Sequence, residues 1–110
     1  MAKRLVVWLK VKPEDEERFT KWYQDEYIPR FVWQVPGIVS ISRWRSTEAA
    51  YLTVYELDPA TDWDALLRAL RSPSRASDRE EWHHWETSNL TDFRDGFFEM
   101  TFEYRPGPAL

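Results

Sequence analysis

Apolar and polar positions switch period along this chain, and the switches mark its elements. Residues 5–11 are β-branched and apolar, with Leu5, Val7, Leu9 and Val11 on one face and Val6, Trp8 and Lys10 on the other. Both faces are greasy, which predicts a central strand covered on two sides. Pro13 suits a first helical position, where its missing N–H would have been unpaired anyway. A helix is predicted over 14–27, with Phe19, Trp22, Tyr23, Glu26 and Tyr27 recurring along one stripe. Pro29 disfavours the α conformation at Ile28, so a break or kink is expected there. Residues 30–35 add a further turn or two, and Val35-Pro36-Gly37 closes the segment.

Weak alternation over 38–45 and stronger alternation over 51–57, joined by the turn Ser46-Thr47-Glu48, predict a hairpin. Thr61 is placed to cap a helix whose face is Trp63, Leu66, Leu67 and Leu70. The run 71–77, RSPSRAS, reads as an exposed loop. Ser77-Asp78-Arg79-Glu80 has the spacing of a capping box at the head of a short helix reaching Thr87. Phe98, Met100, Phe102 and Tyr104 alternate with Glu99, Thr101 and Glu103, which predicts a last strand over 97–104 before the tail RPGPAL.

The order β-α-β-β-α-(α)-β is that of a ferredoxin-like α+β fold, a four-stranded antiparallel sheet with helices on one face. At 110 residues without a linker or repeat, the chain reads as one domain spanning 1–110. The other sheet face, carrying Val6 and Trp8, needs a cover. A second copy of the same face is the simplest one, so a homodimer through the sheet faces is expected.

Composition narrows the chemistry. Basic and acidic residues number 15 and 19, scattered, for a net charge of −4. That disfavours nucleic acid, which needs clustered Lys and Arg. Glu14, Asp15, Glu16 and Glu17 sit at a helix start, where they oppose the dipole favourably. There is no cysteine, hence no disulfide, thiolate metal site or Cys nucleophile. The brief N-terminal apolar run is too short for a signal or membrane segment, so a soluble cytoplasmic protein with no membrane partner is expected. Seven Trp exceed what a core this small needs. Some are expected at an interface or in a ligand cavity.

The stretch WYQDEYIPRFVWQVPGIVSISRWR resembles a pattern of the dimeric α/β barrel superfamily, most of all its EthD-like branch. The matching residues are Trp22, Tyr23, Asp25, Glu26, Ile28, Pro29, Val35, Pro36 and Gly37, with Arg43 and Arg45 in the following strand. The resemblance implies the dimeric barrel fold and a pocket between helices and sheet. It also implies a family that includes cofactor-free monooxygenases, polyketide cyclases, decarboxylases and haem-degrading enzymes. Where that pattern usually has His before Ile-Pro, this chain has Tyr27. A phenol with a reference pKa near 10 donates hydrogen bonds but is a poor base near neutrality.

Candidate catalytic residues are therefore Tyr27, Glu26, and His83 or His84. Glu26 either pairs with Arg30 on the helix surface, four residues on, or turns inward beside Tyr23 and Tyr27, where burial would raise its pKa. Adjacent histidines diverge by about 100° on a helix and cannot readily share a metal, so no metal is expected. One of them could face the pocket as acid or base. Candidate ligand-lining residues are Trp22, Tyr23, Arg30, Trp33, Ser42, Trp44 and Trp85. No GxGxxG, GxxxxGK, GxSxG or HExxH motif occurs, and no cofactor is expected. Three readings follow. The first is a cofactor-independent oxygenase, cyclase or lyase acting on an aromatic or polyketide-like molecule. The second is a non-catalytic binding or structural dimer, and the third a haem-handling protein with His83 or His84 as axial ligand.

Overall fold

The computed structural model describes residues 2–107. It contains β1 (Lys3–Val11), a 3₁₀ turn (Pro13–Asp15), α1 (Glu16–Trp22), a π turn (Tyr23–Tyr27) and α2 (Ile28–Gln34). Then come β2 (Ile38–Arg45), β3 (Ala50–Leu57), α3 (Trp63–Leu70), a second 3₁₀ turn (Pro73–Arg75), α4 (Ala76–Ser88) and β4 (Leu90–Glu99). The strands form one antiparallel sheet in the order β2-β3-β1-β4, the ferredoxin-like arrangement.

The strand registers separate the two sheet faces. Leu5 stands opposite Tyr55 and Phe97, Val7 opposite Thr53 and Asp95, and Leu9 opposite Tyr51 and Phe93. This is the helix-covered face, and its central members Leu9, Thr53 and Tyr55 are almost wholly buried. On the other face Val6 meets Val54 and Gly96, Trp8 meets Leu52 and Arg94, and Trp44 meets Leu52. Val6, Trp8, Leu52 and Val54 are only half-buried, and Trp44 and Phe98 are exposed.

At Pro29 the helix does not break. Ile28 keeps helical angles, φ −57° and ψ −47°, and its N–H donates to the Tyr23 carbonyl, five residues back. A regular α-helix would press the Pro29 ring against the carbonyl of residue 25 and ask for an N–H that proline lacks. Widening one turn removes the conflict. It also cancels the drift that an ordinary helix accumulates over three residues spaced four apart. Tyr23, Tyr27 and Phe31 therefore stay in one line, with ring centroids 5.4 Å and 5.8 Å apart.

Four other local expectations are corrected. The N-cap of α3 is Asp62, whose side chain accepts from the Asp64 N–H; Thr61 stands one residue outside. The segment 71–77 is not a plain exposed loop. Ser72 caps the 3₁₀ turn by accepting from Ser74 N–H, and Arg75 in that turn is buried. This turn runs directly into α4 at Ala76, so Ser77 lies inside the helix and no capping box forms. The fourth strand comes earlier than 97–104. Residues 90–99 pair with β1, whereas 100–107 have no regular structure. The polar run Thr91 to Gly96 hides this strand, because its charged side chains find places beside β1: Asp92 opposite Lys10, and Arg94 5.6 Å over the Trp8 ring. The last residues of the tail, 108–110, lie outside the described residues.

Candidate functional site

A cavity of about 350 Å³ lies between the helix-covered sheet face and the helices. Leu5, Val7, Tyr55, Phe93 and Phe97 form its floor; Tyr23, Tyr27 and Phe31 form one wall. The opposite wall comes from the 3₁₀ turn and α4, where Arg75, Arg79, Trp82, His83 and Glu86 recur at helical spacing. The lining is mostly aromatic and aliphatic with a few polar groups, the usual make-up of a small-molecule site, and its volume is at the lower end of the roughly 300–1,000 Å³ range of such sites.

Its polar groups are fixed by packing. The Tyr23 and Tyr55 hydroxyls are 2.5 Å apart. Tyr23 stacks on Tyr27, and Trp82 lies 5.4 Å from Tyr27 and 5.3 Å from Phe93. The guanidinium of Arg75 donates through Nε to Gln34 Oε1 at 3.1 Å, through Nη1 to the Leu70 carbonyl at 3.0 Å, and through Nη2 to Tyr27 Oη at 3.4 Å. It also lies 4.9 Å from the Phe31 ring centre. Arg79 donates to the Leu70 and Ser72 carbonyls at 3.2 Å and 2.8 Å. The two arginines thus tie the carbonyl end of α3 to the cavity wall.

Burial pushes the Tyr23 phenol up to about 12, against the opposing effect of the nearby Thr53 hydroxyl and of the Tyr55 hydrogen bond. Burial also raises Tyr55 well above its ordinary value, with the Tyr23 phenol acting in the same direction. Tyr27 is raised by burial too, opposed by the charge and hydrogen bond of Arg75. All three phenols keep their protons at neutral pH. They can donate to a ligand oxygen and cannot serve as bases there.

The sequence-predicted candidates divide sharply. Tyr23 and Tyr27 line the cavity from within, and His83, itself exposed, borders it at the rim. Glu26 is exposed on the far side of the π turn, and His84 points away to solvent, one helical step beyond His83. Arg30 does not pair with the Glu26 carboxylate; its Nε donates to the Glu26 carbonyl at 3.1 Å. Its guanidinium reaches Asp78 at 3.1 Å and Glu81 at 3.0 Å, so it bridges α2 to α4 outside the cavity. Trp22 and Trp85 are core residues with rings 5.3 Å apart, and Trp22 Nε1 donates to Glu81 Oε1 at 2.5 Å. Trp33 is 90% exposed on α2. Ser42 and Trp44 lie on the outer sheet face, where the indole N–H donates to Ser42 Oγ at 2.9 Å.

Sequence reasoning did not single out Tyr55, Phe31, Arg75, Trp82 or Phe93 as lining residues. The alternation Tyr51-Thr53-Tyr55-Leu57 carried a signal for Tyr55, since it assigns that ring to the covered face. Trp82 shares a helical face with Arg75 and Arg79. Nothing in the string RSPSRAS marks Arg75 for burial.

Fold and cavity together define a class: a ferredoxin-like α+β domain with an aromatic-lined cavity between its helices and its sheet. Comparison with known proteins places the chain within that fold more closely. No protein-family model matches it, and no curated protein matches it. Solved structures do. A monooxygenase from the gene ActVA-Orf6 of Streptomyces coelicolor, solved with nanaomycin D, superposes with a TM-score of 0.68 at 16% identity, covering 96% of this chain and 93% of that one. A mutant of SnoaB, a cofactor-independent oxygenase from Streptomyces nogalater, gives 0.67 at 19% identity, covering 93% and 95%. An ethyl tert-butyl ether d (EthD) family protein from Bacillus halodurans gives 0.62 at 20% identity, covering 91% and 100%. At these identities the likeness establishes the shared fold.

Proposed function

We propose that this chain is a cofactor-independent enzyme of the oxygenase, cyclase or lyase type, acting on an aromatic or polyketide-like small molecule. The observation that carries the reading is that the protonated Tyr27 hydroxyl and the His83 side chain border the same aromatic-lined cavity. Oxygenation, cyclisation and carbon–carbon cleavage of such molecules all begin with charge building on an oxygen conjugated to the ring. A phenol donor held in a water-poor site stabilises that charge. The His83 imidazole, whose ring nitrogens can accept and return a proton, stands at the exposed rim to take a proton from the neighbouring carbon. Solved structures of the same fold that are described as monooxygenases or oxygenases support the class.

The working unit in this reading is a homodimer. Its support is the outer sheet face, where Val6, Trp8, Leu52 and Val54 are half-buried and Trp44 is 61% exposed. A second copy laid on that face would dry it.

One observation favours a second reading, a binding protein without chemistry. Tyr27 stands where the resembled pattern has histidine, and every phenol of the cavity holds its proton. Deuterium exchange at the carbon beside the carbonyl of a tetralone-type aryl ketone, followed by NMR, separates the two. The enzyme reading expects exchange above the buffer rate, cut about a hundredfold by Tyr27→Phe and by His83→Ala. Saturable binding of the ketone with exchange no faster than buffer leaves the binding reading and removes the enzymatic one.

A further inference from the structure

Arg75 is only 4% exposed, and no Asp or Glu oxygen among the described residues forms an ion pair with it. The groups its guanidinium bonds to or stacks on are neutral: the Gln34 amide, the Leu70 carbonyl, the Tyr27 hydroxyl and the Phe31 ring. Buried charges in proteins are ordinarily matched by an opposite charge, because an unmatched one carries most of its desolvation cost. The nearby buried carboxylate, Asp78, is held by Arg30 at 3.1 Å through Oδ1, and its unpartnered Oδ2 forms no ion pair with Arg75. Of the two acids bordering the cavity, Asp95 is exposed and Glu86 half-buried, and neither pairs with Arg75.

From this arrangement we infer that the cavity takes a ligand bearing an anionic oxygen on a planar ring system, bound with the oxygen at Arg75 and Tyr27. The inference rests on the cavity being a small-molecule site, and it adds the charge and the orientation of the ligand. Arg75 Nη2 donates to Tyr27 Oη at 3.4 Å, which leaves the phenol hydrogen free to donate to a ligand oxygen beside the guanidinium, and a guanidinium suits a carboxylate or enolate better than a carbonyl. Tyr27, Trp82 and Phe93, which line the cavity and are only partly buried, supply aromatic surface for the ring. Glu86 and Asp95 at the outer part of the lining repel a second anionic group, so the charged end enters first and the neutral end stays at the rim. The volume of about 350 Å³ suits one or two rings.

The shared chemistry, a ring-borne oxyanion, occurs in aryl carboxylates and in enolates of hydroxyquinones, and calorimetry with two matched pairs distinguishes them. One pair is naphthoate against naphthamide. The other is hydroxynaphthoquinone, an enolate at neutral pH, against its methyl ether. At least one anion is expected to bind wild-type protein about ten- to a hundredfold more tightly than its neutral twin. Which anion shows the gap tells carboxylate from enolate. Arg75→Met should erase the gap, Arg75→Lys should keep part of it, and Arg68→Met, at an exposed position of α3 that does not line the cavity, should leave it intact. Should Arg75→Met fail to fold, by circular dichroism, the wild-type pairs and Arg75→Lys still decide. Twins that bind equally well, or a gap that survives Arg75→Met, overturn the anion assignment and leave the cavity reading standing. Failure of all four compounds to bind wild-type protein removes the cavity reading and this inference with it.

Discussion

The hydroxyls of Tyr23 and Tyr55 meet at 2.5 Å inside the core, joining the π turn to the middle of the sheet. Both residues are 1% exposed, so each hydroxyl depends on the other for its hydrogen bond. Removing one leaves its partner buried and unsatisfied, which costs about 1–3 kcal/mol. Tyr55→Phe and Tyr23→Phe should each lower stability by that amount in urea unfolding. The double variant should lose less than the sum of the two, because it leaves no orphan hydroxyl. Strict additivity would mean the pair is not coupled.

The same pair sets an alkaline limit. Tyr23 titrates near 12 in the fold against 10.0 for a free phenol, because burial disfavours the charged form. The stabilisation linked to its proton is complete below pH 10 and drains away as pH rises from there towards 12. In that window the unfolded chain gives up protons that the native protein keeps. Stability measured across this range should fall with pH, and Tyr23→Phe with Tyr55→Phe should flatten the slope. Ultraviolet difference absorption of native protein should show these phenols ionising only as it unfolds.

Arg30 with Asp78 and Glu81 tests a different kind of link. Asp78 is 4% exposed, and its Oδ2 has no hydrogen-bond partner among the described side chains and backbone. Arg30→Met would leave that carboxylate without its cation. A loss of about 1–3 kcal/mol is expected, more than an exposed ion pair is worth. Glu81→Gln, at the more exposed arm, should cost well under half as much. Ligand affinity should change little in either, since Arg30 lies outside the cavity.

Gly37 has φ +90°, and a Cβ placed there would meet Thr61 Oγ1 at 3.0 Å. Its carbonyl also accepts from the Asp58 N–H at 2.8 Å, tying the start of β2 to the end of β3. Gly37→Ala should lower stability by about 1–2 kcal/mol through backbone strain and crowding. Gly37→Ala combined with Thr61→Ala should recover the crowding part alone.

The uncovered sheet face predicts self-association. Val54 sits at its centre, between Val6 on β1 and Ser42 on β2. If a second copy covers this face, wild-type protein should sediment as a dimer, and Val54→Glu should give a folded monomer with unchanged far-ultraviolet dichroism. A wild-type monomer at micromolar concentrations would remove the dimer from the proposed function.

The amino-acid sequence by itself determined the element order and the inward face of each early strand. Period-two and period-3.6 patterns are local consequences of how Cβ atoms project, and they survive in the text of the chain. It also marked Tyr23 and Tyr27, because their spacing puts them on the apolar stripe of a helix. Tertiary structure alone decided the rest. Residues 90–99 become a strand because β1 offers an unpaired edge and takes Asp92 and Arg94 beside Lys10 and Trp8, which no local propensity encodes. Pro29 stays helical because packing of Tyr23, Tyr27 and Phe31 outweighs its preference for a break, at the cost of one widened turn. Arg75, in a stretch that reads as loop, becomes the most deeply buried cation of the cavity because α3, α2 and α4 converge on it. Burial belongs to the assembled neighbours of a residue. The most informative charge in the candidate site was therefore visible only after the chain had folded around it.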